Sequence, residues 1–260
     1  MNLWQGLVLG LVQGLTEFLP VSSSGHLVLF EALTGVHFTN VTVEVSLHIA
    51  TLASLFVLYG RRLWEIMRGI VSGDGPSLRY ALLLVIATIP AGLIGILFHR
   101  QIEETFHSLF WVGIQFLITG AILWSTRGPT GDRTAPSTGA AAVIGVAQAF
   151  AILPAISRSG ATVAAALRAG LTPVAAAEFS FLMSIPVIAG AGLLEARNAV
   201  LNVAQIGAVP WAVSFVAAFA SGIWSIRWLV KLLQRGRFYA FAPYCWAVGA
   251  FTLVYALWHG

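Results

Sequence analysis

Residues 13–26 read QGLTEFLPVSSSGH, a stretch in which a glutamate, three serines and a histidine lie around a proline. The flanking runs, LWQGLVLGLV at 3–12 and LVLFEALTGV at 27–36, are apolar enough for lipid. Proline and serine-rich turns leave backbone groups without helical partners, and such backbone is tolerated at membrane depth only when it is buried in protein or lines a wet cavity. The stretch therefore predicts a re-entrant helix–loop–helix hairpin over about residues 3–35.

The composition of the whole chain indicates a membrane protein. Hydrophobic residues make up 58% of the 260 residues and charged residues 9%, against roughly 25% charged in an average soluble domain, and the mean hydropathy is +0.86. The nine tryptophans are typical of interfacial anchors rather than base-stacking platforms, so no nucleic-acid partner is expected. We predict an all-α polytopic membrane protein, a single integral domain over residues 1–260. Its six transmembrane helices are predicted at about Val43–Tyr59, Tyr80–Phe98, Leu109–Trp124, Val174–Leu194, Val213–Leu233 and Ala240–Trp258.

A second interrupted stretch, within about residues 140–170, repeats the first. QAFAILPAISRSG at 148–160 aligns with QGLTEFLPVSSSG at 13–25, since both begin with Gln, carry a Leu-Pro pair and end in Ser-x-Ser-Gly. A Glu-x-Ser triplet follows each at a similar distance, beginning at Glu44 and Glu178. The order of these matches predicts a second re-entrant hairpin and an inverted-topology repeat, with repeat 1 at about 1–126 and repeat 2 at about 140–258.

The basic residues indicate the orientation of the chain. If both hairpins return to their own side, ten basic residues fall in or near one set of loops and only Arg100 and Arg197 in the opposite set. This positive-inside asymmetry predicts that both termini lie outside, that the first hairpin enters from outside and that the second enters from inside. The ten residues are Arg61, Arg62, Arg68, Arg79, Arg127, Arg133, Arg227, Lys231, Arg235 and Arg237.

The two loops together carry the chemistry of an anion site. Each precedes a helical segment with free N-terminal amides, and serines, glycines and a guanidinium favour a phosphate or diphosphate. His26 is a candidate nucleophile or proton shuttle, and Glu17 is a candidate to orient it or to hold a divalent cation. The polar residues of the two loops are Glu17, Ser22, Ser23, Ser24 and His26, and Ser157, Arg158 and Ser159.

Structural roles for some of these residues remain open. Helix capping alone would explain Ser22 or Ser23, and a hydrogen bond to a carbonyl would explain His26. We expect His48 to be a packed, hydrogen-bonded side chain, and Glu44 and Glu178 to pair with loop backbone from within their spans.

The stretch QGLTEFLPVSSSGH resembles the (Glu/Gln)-x-x-x-Glu plus PVSSxGH signature of the bacterial undecaprenyl-diphosphatase family, and PAISRSGAT resembles its second signature, PGxSRSG. The resemblance extends over the whole chain. Gln13 is within the range that the signature allows, but compared with glutamate it removes one metal-binding charge. One position departs from the pattern, since Ala155 replaces the usual glycine. Glycine allows a positive φ that alanine resists, so the backbone of the second loop is where a difference is expected.

This resemblance implies an enzyme of the bacterial inner membrane that hydrolyses undecaprenyl diphosphate to undecaprenyl phosphate and inorganic phosphate. It thereby recycles the lipid carrier of cell-wall synthesis, is associated with bacitracin resistance, and has its active site toward the periplasm. The implied catalytic residues are Glu17, Ser23, His26 and Arg158, with a divalent cation, Mg²⁺ or Ca²⁺, held by Glu17 and Gln13. The implied substrate-binding residues are Gln13, Ser22, Ser24, Gly25, Ser157, Ser159, Gly160 and Thr162.

We expect phosphoryl transfer in which Arg158, loop amides and the cation stabilise the developing charge. His26 is favoured as the attacking group, because imidazole attacks at neutral pH without a separate base. Ser23, or a water activated by either residue, is the alternative, and Ser23 would need a base.

Two other functions deserve comparison. A polyprenyl-phosphate transporter or flippase is the main rival, since an inverted repeat is a transporter device. A phosphatase of the type-2 phosphatidic acid superfamily is disfavoured, because Ala164 stands where a histidine should follow Ser157-Arg158. The sequence leaves the formation of a homo-oligomer open.

Overall fold

The computed structural model describes residues 2–35 and 41–259, apart from the side chains of residues 41–44, 99, 103 and 191–206. The side chains of Glu44 and Arg197, which entered the sequence analysis, therefore lie outside the description. Within the described ranges the regular structure is helical. It comprises α1 Leu3–Phe18, α2 Ser23–Thr34, α3 Val41–Val71, α4 Gly75–Leu97, α5 His99–Phe106, α6 Leu109–Trp124, α7 Thr138–Phe150, α8 Arg158–Arg168, α9 Pro173–Ile206, α10 Ala208–Gln234, a short 3-10 helix Phe238–Phe241 and α11 Ala242–His259.

Both interrupted stretches fold as a helix, a loop and a second helix. In the first, α1 ends at Phe18 and α2 begins at Ser23; in the second, α7 ends at Phe150 and α8 begins at Arg158. The breaks fall at the proline-containing and serine-containing segments, as the sequence predicts. The helix–loop–helix form is thus confirmed, whereas the return of each hairpin to its own side of a membrane stays a prediction.

Several helices have the length and composition of membrane spans. Among the described residues, Gly75–Leu97, Pro173–Gly190, Ala208–Gln234 and Phe238–His259 are long and apolar enough to cross. A fifth candidate arises if Arg100–Phe106 and Leu109–Trp124, bent by 94° at their junction, count as one span. The polytopic helical class is supported, and the predicted total of six spans remains a prediction.

The two halves of the chain pack through pairs of helices, one from each half. Helix α1 lies along α10, α7 along α4, α3 along α9 and α6 along α11. The Phe18 and Phe181 rings, one from each half, meet edge to face at a centroid distance of 5.5 Å in the main apolar core. Each hairpin is therefore held by a long helix of the other half.

Small residues allow α1 to approach α10 closely. Gly6, Gly10 and Gly14 recur at four-residue spacing and so share one face of α1. A Cβ at Gly10 would collide with the Ser214 carbonyl oxygen and would lie 2.9 Å from Ala217 Cβ. Glycines at such spacing are a common means of close helix packing in membranes.

We predict that Gly10→Ala destabilises the protein by about 1–3 kcal/mol, because the added methyl group must push α10 away. Gly92→Ala in α4 is the matched control, since a Cβ there meets nothing within 4 Å. Thermal unfolding in detergent would compare the two variants with the parent. Equal unfolding midpoints for the two alanine variants would show that the close approach of α1 to α10 at Gly10 does not contribute to stability.

Candidate active site

Each loop ends in a serine that caps the following helix. Ser22 Oγ accepts a hydrogen bond from the Gly25 amide at 3.3 Å, and Ser157 Oγ accepts one from the Gly160 amide at 3.0 Å. The two Ser-x-x-Gly segments are equivalent in the repeat, so the same local sequence forms the same cap twice. Ser22 takes the capping role that the sequence left open between Ser22 and Ser23.

The first amides of α2 and α8 remain free after capping. No described residue accepts a hydrogen bond from the amides of Ser23, Ser24, Arg158 or Ser159. Free amides and the positive end of the helix dipole favour an anion at both helix starts.

The two loops meet tip to tip. Ser22 Oγ donates a hydrogen bond to the Pro154 carbonyl at 2.8 Å, and Ser24 Oγ also contacts that carbonyl. In the opposite direction, Ser159 Oγ donates to the Leu19 carbonyl at 3.1 Å. These bonds pair the backbone carbonyls of irregular segments, which would otherwise be costly to bury. The convergence of the loops, on which the predicted site depends, is present.

Glu17 is the centre of the polar cluster. Its Oε1 accepts a hydrogen bond from Arg158 Nη2 at 2.6 Å, and its Oε2 accepts bonds from Ser23 Oγ at 2.8 Å and Gln13 Nε2 at 3.0 Å. His48 Nε2 lies 3.5 Å from Oε2. The buried carboxylate thus links four side chains, and one of them, Arg158, comes from the second loop.

Two buried polar atoms beside this cluster lack partners. Arg158 Nη1 and Gln13 Oε1 form no hydrogen bond with any described residue. An unmatched buried donor or acceptor costs about 1–3 kcal/mol, so a ligand that supplied an oxygen to Arg158 and a cation to Gln13 would recover that energy. The combination suits a phosphate oxygen together with a metal ion.

His26 forms the hydrogen bond to a carbonyl that the sequence analysis gave as one alternative, and a second bond that it did not predict. Its Nδ1 lies 2.7 Å from the Ser22 carbonyl, which can only accept, so Nδ1 carries the proton. Its Nε2 then accepts a hydrogen bond from Tyr244 Oη at 2.7 Å, and the His26 and Tyr244 rings are nearly parallel, at 3°. Among the described residues Glu17 does not bond to His26, so the idea that Glu17 orients the imidazole is wrong.

The second loop accommodates Ala155 without strain. Ser22, with φ of 65°, is the one non-glycine residue with a positive φ in the described chain, and Ala155 does not need the glycine conformation. The Ala155 amide donates to Gln115 Oε1 at 3.0 Å, and its carbonyl accepts from Thr119 Oγ1 at 2.9 Å. These two α6 side chains, which the sequence analysis missed, hold the loop in place.

The remaining predicted residues fall into two groups. Gly25 and Gly160 lie at crowded positions, since a Cβ would come within 2.6 Å of Phe116 Cζ in the first case and 2.9 Å of Ser157 Cβ in the second. Thr162 does not contact Glu17. Its hydroxyl donates a hydrogen bond to the Arg158 carbonyl at 2.7 Å and forms another with Ser180 Oγ at 2.6 Å.

Two side chains expected to be structural also have specific partners. His48 lies against Glu17, as described above, so it belongs to the site rather than to general packing. Glu178 accepts hydrogen bonds from Arg62 Nε at 2.9 Å and Tyr80 Oη at 3.2 Å. The predicted pairing of Glu178 with loop backbone is therefore wrong, because its carboxylate is bound by a guanidinium from α3 and a phenol from α4.

Comparison with known proteins gives a consistent set of matches. A sequence model of the family described as "Bacitracin resistance protein BacA" matches residues 6–251. The chain is 42% identical to an undecaprenyl-diphosphatase of Desulfosudis oleivorans over 96% of this chain and 97% of that protein. It is 41% identical to one of Carboxydothermus hydrogenoformans (98% and 97%) and 39% identical to one of Bacteroides fragilis (98% of each).

We predict that Ser22→Ala destabilises the protein by about 1–3 kcal/mol more than Ser22→Gly does, since both lose the hydroxyl but only glycine relieves the positive φ. Ser157 is the matched control: it caps the equivalent helix at an ordinary φ of −68°. Ser157→Ala and Ser157→Gly should differ only by the smaller cap preference for glycine. Thermal unfolding of the four variants in detergent measures this, and equal differences at the two positions would argue against strain at Ser22.

Proposed function

We infer the function from one premise, that the chain belongs to the family of the bacitracin resistance protein BacA. It is a membrane hydrolase, an undecaprenyl-diphosphatase, and it hydrolyses undecaprenyl diphosphate to undecaprenyl phosphate and inorganic phosphate. Its role in cell-wall synthesis and in bacitracin resistance follows from the family. Within the protein, the contact that carries this conclusion is the one in which Arg158 and Ser23 meet on Glu17.

The diphosphate is proposed to bind between the two helix N-termini. The unpartnered Nη1 of Arg158 would donate to a phosphate oxygen, and the free amides of α2 and α8 would donate to others. These donors are fixed before the substrate arrives, so they can stabilise charge on the transferring phosphoryl group without rearrangement.

Ser23 is proposed as the attacking group in preference to His26. Its hydroxyl already donates a hydrogen bond to Glu17 Oε2 at 2.8 Å, so the base that it needs is in place. Both ring nitrogens of His26, in contrast, are engaged by Ser22 and Tyr244. The order of preference from the sequence is reversed for this reason.

The proposed reaction proceeds in two steps. The Ser23 oxygen attacks the terminal phosphorus while its proton passes to Glu17, and the bond from that phosphorus to the bridging oxygen breaks, which releases undecaprenyl phosphate. The oxygen of a water molecule then bonds to the phosphorus of the phosphoserine while the bond from that phosphorus to the Ser23 oxygen breaks. The proton held by Glu17 returns to Ser23, and the protons of the water leave with inorganic phosphate. Arg158 can keep its bond from Nη2 to Glu17 while its unpartnered Nη1 binds the phosphate, so the contact between the two loops persists when the substrate is bound.

A divalent cation fits this site only when it is shared with the substrate. Within the described residues, no cluster of three or more His, Cys, Asp or Glu side chains could bind a metal ion by itself. Mg²⁺ commonly takes one or two carboxylates and completes its shell with substrate phosphates and water, whereas Ca²⁺ takes more ligands. Glu17 and the unpartnered Oε1 of Gln13 would hold Mg²⁺, which would neutralise phosphate charge when bound.

We also propose the finer topology. Six spans and two re-entrant hairpins would form one integral domain of two inverted repeats in the bacterial inner membrane, with the site open toward the periplasm. The apolar helices and the one-sided distribution of basic residues support this arrangement. Labelling of cysteines introduced at exposed positions of the 126–134 loop, on intact cells, would test on which side of the membrane this loop lies.

We predict that Ser23→Ala lowers phosphate release from undecaprenyl diphosphate by at least roughly 10³-fold, because the nucleophile is lost. Arg158→Ala should lower it by roughly 10²–10³-fold. Substrate labelled at the terminal phosphate should leave an acid-stable, alkali-labile phosphoserine on rapidly quenched enzyme. An acid-labile, alkali-stable label would instead identify His26. Unchanged release in both variants would show that hydrolysis does not take place at this site, whereas no release even by the parent would favour lipid transport.

We predict that Gln13→Glu lowers the Mg²⁺ concentration that gives half-maximal activity, because a second carboxylate joins Glu17. Gln13→Met, of similar size but without the amide oxygen, should raise it. Phosphate release would be measured against free Mg²⁺ after treatment with a chelator. Identical metal dependence in the parent and both variants would remove Gln13 from the proposed metal site.

A further inference from the structure

An apolar groove ends at Tyr244, the hydrogen-bond partner of His26. It is bounded by α1 and the loop that follows it, by the C-terminal part of α10, by the short 3-10 helix and by the start of α11, and it encloses about 460 Å³. We call it the Tyr244 groove, after the residue at its end. Its one hydroxyl-bearing wall residue other than Tyr244 is Thr16, which donates to the Val12 carbonyl at 2.6 Å, so the groove offers little to a polar ligand.

The second repeat forms an equivalent groove, which we call the Leu153 groove. It is bounded by α7 and its loop, by the C-terminal part of α4 and by α5, and it encloses about 700 Å³. In each groove a hairpin helix faces a long helix of the other half, and the leucine of a Leu-Pro pair, Leu19 or Leu153, forms part of the wall. The inverted repeat therefore supplies two apolar grooves beside one polar site.

The two grooves differ in what lies at their inner ends. The Tyr244 groove ends at a ring whose hydroxyl binds His26 Nε2 at 2.7 Å. In the alignment of 13–25 with 148–160, the residue equivalent to His26 is Ala161. The Leu153 groove ends beside Pro154, whose carbonyl already accepts hydrogen bonds from Ser22 and Ser24. Of the two, only the Tyr244 groove has a wall residue that is hydrogen-bonded to an ionisable side chain of the first loop.

Tyr244 is suited to stand between an apolar chain and a charged headgroup. One face of its ring lies parallel to the imidazole, its hydroxyl is fixed by His26, and 47% of the residue is exposed. Farther along the groove, Trp228 packs edge to face on Phe241 at 5.6 Å, which gives a firm aromatic wall.

We propose that the Tyr244 groove holds the part of the isoprenoid chain nearest the diphosphate, and that Tyr244 is the residue at which chain and headgroup meet. The inference rests on the proposed function, because it takes the substrate to be a polyprenyl diphosphate. Burial of isoprene units against the groove adds binding energy and also fixes the direction from which the diphosphate enters between Ser23 and Arg158. The Leu153 groove is not required for this.

Matched alanines in the two grooves test the proposal. Ala240→Phe narrows the Tyr244 groove, and Ala149→Phe narrows the Leu153 groove. With undecaprenyl diphosphate and farnesyl diphosphate as substrates, Ala240→Phe should raise KM about tenfold with little change in kcat, because it obstructs only the chain. Ala149→Phe should leave both constants within about twofold. A rise in KM confined to Ala149→Phe, or absent from both variants, would overturn the assignment.

A labelling experiment on the unaltered protein covers the case in which the variants fold poorly. A farnesyl diphosphate analogue with a benzophenone on its first isoprene unit should label peptides from the end of α10 and from residues 238–244. Labelling of α4 and α5 instead would exclude the Tyr244 groove. Because labelling needs binding and not turnover, it tests the chain site in the Tyr244 groove independently of the proposed hydrolysis. A protein that is labelled at the Tyr244 groove but releases no phosphate would refute the hydrolase and keep the chain site.

Discussion

The ion pair between Glu17 and Arg158 is the interaction on which the rest of the site depends. Its atoms lie 2.6 Å apart, and the two side chains are 5% and 17% exposed. Moving two charges out of water is costly, and removal of one partner from such a pair typically costs about 3–5 kcal/mol because the other is left uncompensated. The pair therefore requires the two loops to stay in contact. Two hydrogen bonds from serine side chains to backbone carbonyls also hold the loops together, Ser22 to Pro154 and Ser159 to Leu19.

Helix packing makes that contact feasible. Glu17 lies near the end of α1, and the glycine face of α1 packs against α10. Arg158 lies at the start of α8, and the loop before it is hydrogen-bonded to Gln115 and Thr119 of α6. Each loop is thus positioned by helices distant in sequence, so neither depends on its own irregular backbone for order. An anion site built from helix N-termini needs this rigidity, because amide donors stabilise a phosphate only when they do not have to reorganise.

The sequence predicted those features that arise from local chemistry and from the repeat. Proline and serine segments identified both breaks, Ser22 was among the predicted caps, and the two signatures brought Glu17 and Arg158 into one site. Features that depend on packing between distant segments were not accessible. Nothing in the neighbourhood of Tyr244 indicates a partner for His26, and the hydrogen bonds of Ala155 come from α6. The contact of His48 with Glu17 likewise joins α3 to α1, and nothing local to either residue indicates it.

The repeat also explains how one carboxylate acquires two different partners. In the alignment of 13–25 with 148–160, Ser23 and Arg158 are equivalent residues, and each is the first helical residue after a serine cap. Both side chains reach Glu17, Ser23 on Oε2 and Arg158 on Oε1. Glu17 itself has Ile152 as its counterpart, so the two halves are alike in backbone and unlike in charge. A symmetric pair of anion-binding helix starts would hold a diphosphate without acting on it. Placing a hydroxyl at one start, a guanidinium at the other and a single base between them gives the site a direction, with the phosphoryl group held from one loop and attacked from the other.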